Sequence, residues 1–449
     1  MNRLKAVIGG SAGNLVEWYD WFAYTSFTLY FAKHFFPEGD QTSQLLQAAA
    51  VLAIGFVARP VGAWAMGLYA DRAGRRAALV LAVSMMSAGS FAIALMPDYE
   101  SIGVFAPAGL LLARLVQGLS VGGEYGASAT YLSEVAGHGR RGFWSSFHFT
   151  TLIGGQLLAL GVLVLLQSVM SEEALGDWGW RIPFAIGGGL AIIVFWLRRG
   201  IAESGSFTST DAGDRRRSGA LTIIREHPRE AGIAFMLTAS GSLAFYTYTS
   251  YMQKFLVNSA GFPKDVATTA TALALIIYLP FHPFAGMLSD RIGRRPMMTF
   301  TFAGIALFTY PLMTAIAASR DIVGAGALMV ALLLLLSGYA STSAVFKAEL
   351  FPTHVRALGV ALPYAIANAI FGGSAEYVAL WFKQAGIENA FFLYVSAMAI
   401  VALIVVRRVR DPTQRVAGGG GVGFPGAGGP RGRPPGGGPP ARGRGGEGG

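Results

Sequence analysis

One polar phrase occurs twice in this chain. Gly67-Leu-Tyr-Ala-Asp71-Arg72-Ala-Gly74-Arg75-Arg76 returns as Gly286-Met-Leu-Ser-Asp290-Arg291-Ile-Gly293-Arg294-Arg295, 219 residues later, each copy set between two long apolar runs. A second echo keeps nearly the same spacing: Glu134 and Arg141 return as Glu349 and Arg356, 215 residues on. Two echoes at almost one offset imply a duplicated architecture. Charged, glycine-punctuated hairpins between apolar runs place that duplication in a membrane protein.

Composition agrees. Hydrophobic residues make up 53% of the 449, charged residues 13%, and the mean hydropathy is +0.48. A soluble globule carries roughly 25% charge, so the solvent here has to be a bilayer. Runs of about 20 apolar residues lay out as twelve spans, over residues 10–36, 44–70, 77–97, 102–134, 143–169, 180–199, 230–258, 265–289, 296–317, 321–350, 357–382 and 389–407. The fold class expected is therefore all-α and integral to the membrane, with twelve transmembrane helices in two pseudo-symmetric six-helix bundles. The bundles would cover residues 1–199 and 230–407, joined by a polar connector over 200–229. A Gly/Pro/Arg-rich tail over 408–449 lacks the apolar content to form a core and reads as disordered.

Basic residues are retained on the cytoplasmic side of a membrane. With the N-terminus inside, cytoplasmic segments hold 26 of the 35 Lys and Arg. Six fall on the other side (Lys33, Arg181, Lys254, Lys264, Arg320 and Lys383), and three lie within spans (Arg59, Arg114 and Lys347). Both termini are thus expected in the cytoplasm. The net charge of +10 is explained as a topology signal rather than a nucleic-acid footprint. The first span is far longer than the apolar core of a cleaved leader, so it is expected to stay. The chain has no cysteine, which removes disulfides and thiolate metal sites.

Topology alone would account for the arginines of the repeated hairpins but not for Asp71 and Asp290. An acid at the end of a span can cap a neighbouring helix N-terminus, a contact able to form and break between conformations. Within the first half, Asn14, Glu17, Asp20 and Tyr24 share one broad face of span one, Arg59 sits near the middle of span two, and Arg114, Gln117, Val121 and Glu124 form a stripe on span four. A charge at mid-membrane costs about 2.5 to 3.5 kcal/mol. These residues are either a structural ion-pair cluster, Arg59 with Asp20 or Glu17 and Arg114 with Glu124, or a substrate and proton site. Buried pairs stabilise poorly compared with apolar packing, which favours the second reading. Span seven presents Tyr246, Tyr248, Tyr251 and Gln253 instead of acids, and span eleven carries Asn368 upstream of Phe371-Gly-Gly-Ser-Ala-Glu376. Trp178 and Trp180 read as interfacial anchors, and Pro280 and Pro283 as the cause of a kink around His282.

The doubled Gly-x-x-x-Asp-Arg-x-Gly-Arg-Arg hairpin resembles the signature of the major facilitator superfamily. Further stretches resemble its metabolite:proton symporter branch: Gly13-Asn-Leu-Val-Glu-Trp-Tyr-Asp20, Leu112-Ala-Arg-Leu-Val-Gln-Gly-Leu-Ser-Val-Gly-Gly-Glu-Tyr-Gly126, Thr151-Leu-Ile-Gly-Gly-Gln-Leu-Leu-Ala-Leu160, Trp178-Gly-Trp-Arg-Ile-Pro-Phe184 and Ala367 to Leu380. The likeness runs from about residue 7 to about residue 407 and departs from the pattern at Tyr69, at Ser120 and in the tail after Arg410. It implies a secondary transporter, not an enzyme, working by alternating access in a bacterial inner membrane. Its partners would be a small organic acid (2-oxoglutarate on the longer match) and protons. It implies no cofactor beyond the coupling proton, no nucleic acid, and function as a monomer.

The same likeness implies a latch of Gly67, Asp71, Arg75, Asp290 and Arg294, with Glu134 and Glu349 as charge partners. Arg59, Arg114, Gln117, Tyr246, Tyr248 and Asn368 are the expected substrate ligands, and Glu17, Asp20 and Glu124 the proton carriers. Arg114 could serve either proton or substrate. Another cargo of the same branch (citrate, a C4-dicarboxylate, shikimate or betaine) and a membrane sensor signalling through the tail are the alternatives. No nucleophile, base and orienting group fall together as an enzyme would need.

Overall fold

The structure, a computed structural model, describes residues 2–73, 75–121, 140–199, 225–352 and 355–409. The spans are all helical. In the first half they are α1 (Asn2–Phe35), α2 (Gln41–Ala73), α3 (Arg75–Leu95), α4 (Phe105–Val121), α5 (Arg141–Val169) and α6 (Ile182–Arg199). In the second half α7 runs over Pro228–Tyr246, a π-turn at Thr247–Tyr251, and Met252–Asn258, and α8 over Lys264–Tyr278 and Phe281–Ile292. They are followed by α9 (Arg294–Ala318), α10 (Ile322–Leu350), α11 (Arg356–Ala367, a π-turn at Asn368–Gly372, then Ala375–Gln384) and α12 (Glu388–Arg408). Eight stretches among the described residues are long and apolar enough to cross a membrane, and α3 and α4 hold shorter apolar segments. Helices are the form the sequence requires, because a lipid-exposed backbone has no water to bond and must satisfy its own N–H and C=O groups.

Three local features differ from the sequence reading or refine it. Span four was expected from residue 102, but α4 starts at Phe105. Asp98 accepts from Ser101 N and caps a separate turn, Tyr99–Ile102, which Gly103 ends at φ +60°. Trp180 was expected at the interface, yet it is fully buried against Phe31, Phe35 and Phe184, while Trp178 stays exposed. The α8 helix is interrupted at Leu279 and Pro280, where proline has no N–H to continue the ladder.

Close backbone approach sets where the buried charges lie. A Cβ on Gly118 of α4 would stand 2.2 Å from the Gly55 carbonyl oxygen of α2, and one on Gly55 would meet Arg114 O at 3.3 Å. Small residues at such crossings are the membrane substitute for a hydrophobic driving force, which lipid does not supply. The crossing sets the arginine-bearing turns of α2 and α4 side by side.

At the end of the bundle carrying the second hairpin, the two halves are joined by charge. Asp290 accepts from Gly142 N (2.8 Å) and Phe143 N (3.0 Å), the first turn of α5. Arg294 holds the same carboxylate at 2.7 Å and donates to Ser289 Oγ at 2.6 Å. Glu349 of α10 stands 3.9 Å from Arg294 and 3.8 Å from Arg141. The acid of the second hairpin thus caps a helix of the first half. The first hairpin has described backbone at Gly67, Asp71 and Arg75, and its side chains lie outside the described residues, as do Glu134, connector residues 200–224 and tail residues 410–449. At the other end Lys264 meets Glu172 at 2.8 Å and Gln167 donates to Thr268 at 3.3 Å, again joining the halves.

Asp290→Asn removes the charge at the α5 N-terminus, a contribution of about 1 kcal/mol. With Ser146→Cys as the sole thiol of this cysteine-free chain, the labelling rate of the purified protein is expected to rise about fivefold. An unchanged rate would mean that Asp290 does not hold the two halves together.

Candidate functional site

The two mid-span arginines share one aromatic cage. Arg59 Cζ lies 3.9 Å from the Phe56 ring centroid, 4.1 Å from Trp21 and 4.9 Å from Trp18. Arg114 Cζ lies 4.0 Å from Tyr24, 5.4 Å from Trp21 and 5.8 Å from Phe184. Both side chains are buried, Arg114 completely. Trp21 borders both guanidinium groups. This cage follows from the sequence of α1, whose 18, 21 and 24 positions face α2 and α4 together.

A cation over a desolvated ring gains up to about 2 kcal/mol, comparable with the about 2.5 to 3.5 kcal/mol cost of placing the charge at mid-membrane. The rings therefore accommodate the charge. They do not accept hydrogen bonds in the guanidinium plane, and Arg59 Nε and Nη2 and all three nitrogens of Arg114 have no protein acceptor. Leaving a buried donor unpaired costs about 1 to 3 kcal/mol more, so packing alone does not account for the pair. Two planar forks with nitrogens that no protein acceptor satisfies suit bidentate binding of ligand carboxylates.

Asp20 lies behind this cage rather than in an ion pair with Arg59. It accepts from Ser90 of α3 and from Gln117 Nε2 at 3.0 Å, and Gln117 also donates to Ser90 Oγ at 2.9 Å. Its other oxygen packs on Gly187 of α6, where a Cβ would stand 2.0 Å away, and makes no hydrogen bond. Gln117 thereby belongs with the acid and not with the arginines. Asp20 and Arg114 are coupled through space. Glu17, half-buried on α1, faces Arg59 and Tyr246. Glu124 lies outside the described residues. Asn14, on the same face, ties helices together instead: it donates to Thr151 Oγ1 at 2.8 Å and accepts from Trp18 Nε1 at 3.1 Å.

From the second half, Tyr246 comes to Arg59 and bonds with Asn368 of α11. A Cβ on Gly372 would meet Asn368 Oδ1 at 2.6 Å and Tyr246 Cε2 at 2.8 Å, so the glycine admits both. Tyr248 does not join them. Two residues further along, in the π-turn that starts at Thr247, it faces the other side of the helix and is hydrogen-bonded to Thr309 of α9. A narrow cavity between the halves is lined by Trp18, Trp21 and Phe56 on one side and by Tyr246, Ser250, Gly372 and Glu376 on the other.

Sequence reasoning missed one pair altogether. Lys254, counted on the outer side though within the expected span 230–258, is fully buried and stands 2.7 Å from Glu376 of α11. Helix α7 continues to Asn258 after its π-turn, which keeps Lys254 inside the bundle. The available signal was Glu376, an isolated acid in an apolar span that needed a cation.

Comparison with known proteins accords with this geometry. The sugar (and other) transporter family pattern matches residues 6–231 and 217–411. The alpha-ketoglutarate permease of Escherichia coli (strain K12) is 51% identical over 403 residues, covering 90% of this chain and 93% of that protein. A citrate-proton symporter of Klebsiella pneumoniae is 33% identical over 83% of each chain. A proline/betaine transporter of Salmonella typhimurium is 31% identical over 92% of this chain and 84% of that one. Among solved structures, the xylose transporter XylE of E. coli in a partially occluded inward-open conformation superposes with a TM-score of 0.74 at 19% identity, over 90% of this chain and 97% of that one, which establishes the fold. These relatives are transporters and not enzymes. The chain belongs to the sugar (and other) transporter family of the major facilitator superfamily.

Proposed function

We propose that this protein imports 2-oxoglutarate together with protons across a bacterial inner membrane by alternating access, with both termini in the cytoplasm. The observation that carries the reading is the pair of caged arginines, Arg59 and Arg114, with guanidinium donors that no protein acceptor satisfies. A relative named alpha-ketoglutarate permease, 51% identical over most of the chain, supplies the cargo. The citrate-proton symporter among the relatives supplies the coupling ion.

In this reading Arg59 and Arg114 bind the carboxylate end or ends of the dianion that reach them, and Tyr246 and Asn368 contact it from the second half. Asp20, with Gln117 and Ser90 around it, carries a proton, and Glu17 and Glu124 are the other acids of that face. Protonation at Asp20 and occupation of Arg114 communicate through the electrostatic attraction between the two groups. Moving a dianion into a negative interior costs about 2.3 kcal/mol per charge per 100 mV, so at least two protons have to accompany it to cancel that charge. Rocking of the halves would open the Asp290, Arg294 and Glu349 contacts at one end and the Lys264 to Glu172 contact at the other. Asp71, Arg75, Gly67 and Glu134 would act with the first group.

Uptake of labelled 2-oxoglutarate into cells lacking their own carrier is expected to be saturable and to collapse on adding an uncoupler. Uptake indifferent to the uncoupler would exclude proton coupling, and stronger displacement by citrate or betaine than by unlabelled 2-oxoglutarate would reassign the cargo. Arg114→Lys keeps the charge and loses the planar fork, so uptake is expected to fall at least about tenfold. Full activity of that variant would argue against bidentate carboxylate binding at Arg114.

A further inference from the structure

Span seven was expected to contribute neutral donors to the site, yet it holds the cation of a buried ion pair with Glu376 of span eleven. Lys254 Nζ and Glu376 Oε1 are 2.7 Å apart, with side chains 0% and 5% exposed. Taking two charges out of water is offset only when the remaining donors and acceptors are also satisfied, and a buried pair used solely as a staple is weaker than apolar packing of the same volume. Here the satisfaction is incomplete. Glu376 Oε2 has no hydrogen-bond partner, and Glu376 lines the central cavity with Trp21, Phe56 and Tyr246. Both members sit beyond a π-turn, at Thr247–Tyr251 in α7 and at Asn368–Gly372 in α11. Such turns break the regular helical ladder and recur at functional sites.

Among the described residues, Lys254 is the one close cation of Glu376. Besides Lys254, α7 presents Tyr251, and α1 presents Tyr24, which itself packs on Arg114. From α2 the wall is Leu52 and Phe56. Helix α12 contributes Glu388, engaged with Ser259 at 2.5 Å and Lys383 at 3.7 Å.

We propose that Lys254 and Glu376 form a second coupling site, in which a proton taken up by Glu376 frees the Lys254 ammonium for a carboxylate of the substrate. The inference rests on the reading of the protein as a proton and 2-oxoglutarate symporter, and it assigns one of the two protons that a dianion requires. The proton adds to Glu376 Oε2, turning carboxylate to carboxylic acid. Lys254, on its flexible four-carbon stem, then exchanges an internal carboxylate for the ligand's. When substrate leaves, Glu376 gives up its proton to water and closes back on Lys254. Substrate and proton thus bind together because each removes the obstacle to the other.

Calorimetric titration of the purified full-length chain with 2-oxoglutarate, in two buffers of different ionisation enthalpy, counts the protons taken up on binding. Relative to the unaltered protein, Glu376→Gln is expected to bind within about threefold while taking up about one proton fewer. Lys254→Gln is expected to bind at least about tenfold more weakly. The double variant Lys254→Gln with Glu376→Gln leaves no buried charge unpaired, and it is expected to show both the weak binding and the reduced proton count. An unchanged proton count in Glu376→Gln or in the double variant would overturn the proposal. So would restoration of wild-type binding and proton count by the swapped pair Lys254→Glu with Glu376→Lys, the result a simple staple predicts. In either case binding by the unaltered protein would leave the symporter reading intact. A folded, unaltered protein that gives no heat with 2-oxoglutarate would overturn that reading and this inference with it.

Discussion

The structure depends on how it holds two guanidinium charges away from water. Arg59 and Arg114 sit in the middle of helices that have to be apolar to cross a bilayer. What accommodates them is the ring system of Trp18, Trp21, Tyr24, Phe56 and Phe184. Cation–π attraction stabilises the charge without satisfying the N–H donors, because the ring quadrupole acts through its face while hydrogen bonds lie in the guanidinium plane. The site is therefore electrostatically tolerated and chemically incomplete, the condition a transporter needs if cargo is to bind and leave. The glycine crossing of α2 with α4 and the stacking of α1 against both follow from the need to bring the rings to the charges.

Charge is handled differently at the ends of the bundle. There Asp290 is fully engaged, with two backbone donors from α5 and a bond from Arg294. A carboxylate on a helix N-terminus gains from the backbone dipole and is released by a small displacement of that helix. The contact can be strong in one conformation and absent in another, since its partners belong to different halves. Interior incompleteness and peripheral completeness are complementary: ligands act on the first and the moving helices on the second.

Much of the fold was legible because the bilayer imposes it. Length, hydropathy and the doubled hairpin located the described helix ends to within three residues except at α1, which starts at Asn2 rather than at residue 10. Helix α4 was shifted at its start because Asp98 and Gly103 make a turn that hydropathy does not register, and the expected end of span four lies outside the described residues. The site was legible on α1, α2 and α4, where helical spacing puts Asp20, Tyr24, Arg59 and Arg114 on inward faces, while Trp18 and Trp21, which cage the arginines, were not singled out. It was less so in the second half. Tyr246 and Tyr248 are two residues apart and so lie on opposite sides of their helix, and Tyr248 ends at Thr309 while Tyr246 faces Arg59. Lys254 was missed for another reason: the charge count places it on the outer side, although the expected span seven reaches residue 258.

By itself, the sequence determined the solvent, the number of spans and the existence of two related halves, because burial of about 20 apolar residues per span leaves a chain no other stable arrangement in lipid. It also determined that charges on α1, α2 and α4 would face inward, since lipid would reject them. Only the tertiary structure decided which charges meet. Asp20 joined Gln117 and Ser90 instead of Arg59, Arg141 reached across to Glu349, and Lys254 found Glu376, because pairing depends on glycine-scale helix approaches. Hydrophobicity acts on every residue of a span alike and can be read one residue at a time; ion pairing acts over a few ångströms between distant segments, and only their packing sets that distance.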